Sequence, residues 1–173
     1  MKKNIILSIL AVFLFSCSLV DKLLTFTISD STSIKIESGL PIGTPFEFTT
    51  PEVTSNSSSE FENNNTKADL VKEVTLKDLK LTITDPSDKN FSFLKSVRIY
   101  ISTDANDEIE LAYLEDINTT NNTIELNPTA AKLDKYVKAS SYKIRTKAVT
   151  KESITKDITM KADLRFNVTA DPF

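Results

Sequence analysis

Apolar and polar residues alternate along most of the chain with a period of two, the signature of half-buried β-strands. Leu24, Phe26 and Ile28 alternate with Thr25 and Thr27, and Ile34 and Ile36 repeat the pattern beyond the polar stretch 29–33, which reads as a turn. Phe46 and Phe48 open another short strand behind the turn formers Gly39, Pro41, Gly43 and Pro45. Leu76, Leu79, Leu81 and Ile83 lead into a strand that stops at Asp85-Pro86. Phe91, Phe93 and Leu94 form an apolar plug ahead of Val97, Ile99 and Ile101. Ile109, Leu111 and Tyr113 alternate in turn, and the polar link 103–107 predicts a hairpin between these two strands. Ile124 and Leu126 mark a short strand; Tyr142, Ile144, Thr146 and Ala148 mark a longer one.

The run from Ile158 to Ala170 carries the strongest pattern, with Ile158, Met160, Ala162, Leu164, Phe166, Val168 and Ala170 on one side. At about 3.4 Å per residue it would reach about 44 Å, so a bend or a change of partner is expected along it. Three segments break the period. Residues 130–138 place Ala130, Leu133 and Val137 on one face and predict a short helix, and residues 68–72 read as a helical turn. Residues 50–67 hold runs of Ser and Asn with few apolar side chains and predict a mobile loop. The pattern argues for an all-β, mostly antiparallel fold: an immunoglobulin-like β-sandwich of seven to nine strands with one short helix, an open barrel being the alternative. Residues 23–173 read as one such domain.

The N-terminus follows a different logic. Lys2 and Lys3 precede eleven residues, Ile5 to Phe15, in which only Ser8 is polar. A membrane-spanning helix needs about 20 apolar residues, so this run is too short to cross and fits the hydrophobic region of a secretory signal. Leu14-Phe15-Ser16-Cys17 resembles a lipobox, the Leu-x-small-Cys pattern read by lipoprotein signal peptidase. Leu14 and Ser16 match it, and Phe15 is bulkier than the usual residue. The resemblance implies a signal peptide over 1–16, cleavage before Cys17, and a thioether-linked diacylglycerol on its sulfur. A thiolate is the natural nucleophile for that alkylation. Residues 17–22 then read as a tether.

Composition narrows the function classes. Lys2 and Lys3 leave with the signal, so 19 basic residues face 24 acidic ones in the remaining chain. Charges of both signs are interspersed, with no basic patch for phosphates, and nucleic-acid binding is not expected. Cys17 is the only cysteine, so no intramolecular disulfide is available. Histidine is absent, which removes the commonest general base and transition-metal ligand and makes a Ser-His-Asp triad impossible. Tryptophan is absent, and two glycines cannot build a phosphate-cradling loop.

The stretches 91–102, 141–148 and 157–168 are similar to a group of small, uncharacterised envelope lipoproteins of Gram-negative bacteria. That resemblance covers roughly residues 68–170 and rests on core-strand patterning. It implies a β-sandwich and carries over no functional residue.

Asp104-Ala105-Asn106-Asp107-Glu108 is the one cluster with a chemical reading. Asp104, Asn106, Asp107 and Glu108 offer hard oxygen ligands for Ca²⁺, and the stretch looks like the Asp-x-Asn-Asp linkers of cadherins. The competing reading is a hairpin tip, where Asp and Asn are favoured for their own backbone hydrogen bonds. Asp30-Ser31-Thr32 resembles a short bacterial O-glycosylation acceptor, which makes Ser31 a candidate modification site. Among aromatics, Tyr100 and Tyr136 face outward by parity, too few for a sugar-stacking platform. No pair of carboxylates is singled out for glycoside hydrolysis. The expected function is therefore a non-catalytic binding or structural module without cofactor, held in the cell envelope by lipid. The expected location is the periplasmic face of the outer membrane, with an envelope protein as partner. A carbohydrate-binding or adhesive surface lipoprotein is the alternative.

Overall fold

The computed structural model describes residues 24–171. The expected signal peptide 1–16, Cys17 and the expected tether 17–22 lie outside the described residues.

Nine strands form in chain order: β1 (Thr25–Ile36), β2 (Pro45–Thr49), β3 (Val53–Thr54), β4 (Val71–Asp85), β5 (Leu94–Ser102), β6 (Ile109–Leu114), β7 (Thr123–Pro128), β8 (Ser141–Thr150) and β9 (Ile158–Ala170). All pair antiparallel, in the order β1-β9-β4-β7-β6-β5-β8-β2, with β3 also on β8. The path curls because β7 is shared. Residues 123–126 pair with β4, and Asn127 and Pro128 pair with β6. β1-β9-β4 and β6-β5-β8 thereby come to face one another across a single core. Ile28, Leu79, Phe166 and Val168 line it from one side, and Val97, Ile99, Ile101 and Ile144 from the other.

The expected antiparallel sandwich of seven to nine strands is thus present at its upper strand count. Its connectivity is that of a jelly roll, which departs from the immunoglobulin-like arrangement expected from the strand pattern. With the two-residue β3 set aside, eight strands divide into β1-β9-β4-β7 and β6-β5-β8-β2, two interlocked Greek keys.

Several local expectations are revised. The polar stretch 29–33 is not a turn; β1 runs unbroken through it, its serines and threonine pairing with Arg165 to Lys161 of β9. Hydroxyl side chains suit an exposed strand face. β9 does not change partners, pairing with β1 on one edge and β4 on the other along its length. β4 reconciles the uneven spacing of Val71, Val74, Leu76 and Leu79, all buried, by register shifts between Val71 and Glu73 and between Leu76 and Asp78. Each added residue returns the next apolar side chain to the core.

The segment 50–67, expected to be a mobile loop, instead carries β3 and a helix, α1 (Ser57–Asn63). A single aromatic organises it. Phe61 is buried and meets Phe26 edge-to-face, with ring centres 6.3 Å apart. The predicted helix over 130–138 shrinks to one turn, α2 (Asp134–Val137), so two short helices stand where one was expected.

The two ends of the sandwich follow from the register. The start of β1, the end of β9 and the start of β4 lie together, since Thr25 pairs with Thr169 and Val71 with Ala170. The turn 103–108 and α2 share that end: Val74 N–H donates to Asp134 Oδ1 (2.7 Å), and Tyr136 hydroxyl donates to the Asp107 carbonyl. At the opposite end the loops 37–44, 86–93, 115–122 and 151–157 are stitched by backbone bonds. Gly39 N–H donates to Ile154 O (2.9 Å), Phe91 N–H to Asn121 O (2.9 Å) and Lys151 N–H to Phe93 O (2.8 Å).

Candidate functional site

The turn between β5 and β6 is built around one carboxylate. Asp107 accepts from the Thr103 N–H (2.9 Å), the Asp104 N–H (3.0 Å) and the Thr103 hydroxyl. Lys135 of α2 pairs with it at 2.8 Å. Local burial works against its charge, but Lys135, the Thr103 hydroxyl and the two backbone N–H groups outweigh that. They hold its carboxyl well below the usual carboxylate range. Asp104 accepts from the Asn106 N–H at 2.7 Å, a self-closed turn. Glu108 is engaged elsewhere, chelated by Arg145 of β8 through Nε (2.7 Å) and Nη2 (2.6 Å).

The four sequence candidates Asp104, Asn106, Asp107 and Glu108 therefore sit on one turn without converging on a common point. The carboxylate oxygens of Asp104, Asp107 and Glu108 already face Lys135, Arg145 and the turn's own backbone. Among the described residues no three His, Cys, Asp or Glu side chains gather as a metal-binding group. The arrangement fits the hairpin-tip reading of these residues.

Ser31 lies mid-strand on β1, exposed and paired with Asp163. Its neighbour Asp30 points the other way and is buried. The carboxylate accepts from the Tyr142 hydroxyl of β8 at 2.8 Å, a bond that joins the two sheets. Burial pushes the Asp30 carboxyl up, against the opposing effects of the Tyr142 bond and Asn56 and with some help from Glu60. Burial, reinforced by the Asp30 charge, also pushes the Tyr142 phenol up. The acceptor-like triplet 30–32 is thus divided between the core and the surface.

The outer face of β2-β8-β5-β6 carries a lattice that the sequence did not announce. Arg145 joins Glu47 (2.8 Å) to Glu108 and lies over the Tyr100 ring, 4.3 Å from its centre. Arg98 holds Glu110 (2.8 Å) and Glu115 (2.6 Å), with its guanidinium 5.6 Å from the centre of the Tyr113 ring. Tyr113 faces outward because the β5–β6 register shifts between Ile99 and Tyr100. Ala112 takes the inward position instead and is buried. Tyr136, read as outward from parity, is buried. The outward tyrosines are therefore Tyr100 and Tyr113. A second bidentate pair, Arg165 with Asp78 (2.8 and 2.7 Å), holds the bulged part of β4 to β9.

The clefts are shallow and lie at the loop-stitched end and along the seam between β1 and β2. One of about 230 Å³ is lined by Pro86, Lys89, Ile154 and Lys156; another of about 210 Å³ by Lys35, Leu40, Phe46 and Phe48. Neither gathers a nucleophile with a base. No helix among the described residues is long and apolar enough to cross a membrane.

No family model matches the chain, and no curated protein matches it. Among solved structures it is similar to the crystal structure of FLHE at 6% identity and a TM-score of 0.36, over 85% of this chain and 98% of that one. It is also similar to Desmodium yellow mottle tymovirus at 12% identity and a TM-score of 0.29, over 86% of this chain and 90% of that one. Turnip yellow mosaic virus follows at 12% identity and a TM-score of 0.25, over 86% and 95%.

Proposed function

We propose that this chain is a lipid-anchored cell-envelope protein, a non-catalytic module that binds or supports an envelope partner. The observation that carries the reading is the pairing of Leu14-Phe15-Ser16-Cys17 behind a short basic apolar leader with a β-sandwich that begins at Thr25. Lipid on Cys17 anchors the chain at a bilayer, since each buried CH₂ of an acyl chain contributes about 0.8 kcal/mol. The absence of histidine and of a second cysteine supports a non-catalytic role, as does the engagement of the turn carboxylates by Lys135 and Arg145. The periplasmic leaflet of the outer membrane is the proposed site, because Ser18-Leu19-Val20-Asp21 offers no acidic run behind the cysteine. A glycan-binding surface finds less support, since the Tyr100 and Tyr113 rings already carry Arg145 and Arg98.

Mass spectrometry of the natively expressed protein tests the anchor. A mature N-terminus at Cys17 carrying diacylglycerol is expected, and Cys17→Ser should move the protein from the membrane fraction to the soluble one. An intact Met1, or an unmodified Cys17 sulfur, would refute the reading.

A further inference from the structure

The position of β1 within the sandwich fixes which end a lipid on Cys17 would hold. From Cys17 to Thr25 the chain makes eight steps, at most about 29 Å at full extension. Thr25 sits at the end that carries the turn 103–108 and α2. β9, which pairs with β1 throughout, has thirteen residues and at about 3.4 Å each reaches about 44 Å to the opposite end. The tether is shorter than the domain. An inverted domain, with the loops 37–44 and 151–157 against the lipid, would put Thr25 farther from the bilayer than its tether reaches.

Lying flat has no support on the broad outer face of β2-β8-β5-β6. Arg98, Arg145 and Lys147 there are each paired with Glu47, Glu108, Glu110 or Glu115, so most of the positive charge this face would offer an anionic headgroup layer is already neutralised. The exposed large apolar residue among those described, Ile42, lies at the far end in the loop 37–44.

We infer that the domain stands end-on, with the turn 103–108 and α2 facing the lipid surface and the four stitched loops held away from it. This inference rests on the lipidation of Cys17. It deepens the proposed function by assigning one end of the molecule to the bilayer.

Once Cys17 is alkylated, any introduced cysteine is the only reactive thiol. Ala105→Cys and Thr120→Cys, both at exposed positions, place a donor fluorophore at the near and far ends. The full lipoprotein would be reconstituted into phosphatidylethanolamine–phosphatidylglycerol vesicles bearing a headgroup acceptor. Energy transfer should be strong from position 105 and several-fold weaker from 120. A ten-residue Gly/Ser insertion ahead of Leu24 should shrink that difference. Equal or reversed transfer, in protein whose Cys17 carries lipid by mass spectrometry, overturns the orientation and leaves the anchor standing. Failure to float with vesicles, with unmodified Cys17, overturns the anchor and the orientation together.

Discussion

Asp30 points into the sandwich from an edge strand, a position where neighbouring Ile28 and Ile34 are fully apolar. Its carboxyl sits above 3.8 when folded, so the native state holds the proton more tightly than the unfolded chain. The group therefore favours folding most at acid pH, and its contribution declines as pH rises through the folded pKa. Asp30→Asn keeps an acceptor for Tyr142 and removes the charge. Its melting temperature should exceed that of wild type by more at pH 7 than at pH 4; the opposite trend would contradict the burial account. Tyr142→Phe deprives the carboxylate of its hydroxyl donor and should lower stability by about 1–3 kcal/mol in urea unfolding at pH 7.

Asp107 has the opposite sign. Its folded carboxyl lies below the ordinary range, so its stabilising effect is present above the unfolded pKa and fades as pH falls through the folded value. Asp107→Asn should destabilise at pH 7 and approach wild type in strong acid, as read by urea midpoints across that range. Lys35 and the Ser38 N–H, outweighing a small burial effect, likewise hold Asp157 down to about 2. Its contribution is fully present above 3.8 and is lost toward pH 2.

At the scale of elements, α1 depends on one side chain. Phe61 is its main apolar contact with the sandwich, beside the Asn56 side chain, which donates to the Ser29 carbonyl at 3.4 Å. Phe61→Ala should cost about 3 kcal/mol. It should also speed amide exchange over residues 55–66 while leaving β9 protected, because the helix covers the sandwich without belonging to either sheet.

The same scale shows what was legible beforehand. β9 and β8 declared themselves because strict alternation in sequence met strict alternation in space. β4 and β6 were harder, since a bulge changes parity without leaving a mark in residue type. That is why Tyr113 left its expected side; Tyr136 left its own because it sits in α2, where a two-residue parity does not apply. α1 was hidden because Ser and Asn dominate its composition, and its single aromatic acts through a partner, Phe26, far back in the chain. The turn at Asp107 was visible as a cluster of polar residues. Its partners Lys135 and Arg145 come from other elements, and only the fold brings them there.

For the molecule as a whole, cohesion comes from apolar burial and non-covalent pairing, with no covalent cross-link within the chain. No disulfide is available to the chain, and the candidate calcium carboxylates Asp104, Asp107 and Glu108 are occupied by cations of the protein itself. EDTA, reductant and millimolar Ca²⁺ should each leave the melting temperature unchanged in a thermal scan. A rise with Ca²⁺ would mean that Asp104 and Asp107 had exchanged Lys135 for the ion. The jelly-roll order was beyond sequence reasoning, because pattern sets which face of a strand is buried and says nothing about its neighbour.

The pairing of β1 with β9 also sets a schedule for biosynthesis. Thr25 and Thr169 sit side by side although 144 positions separate them. A ribosome delivers β1 before the other strands of the sandwich and β9 after them, so the leading strand stays solitary until every other strand has emerged. Any protein cut short before residue 158 forfeits the central strand of that sheet, leaving β1 and β4 with bare edges open to aggregation. Quality control of this sandwich is in effect deferred to the arrival of β9.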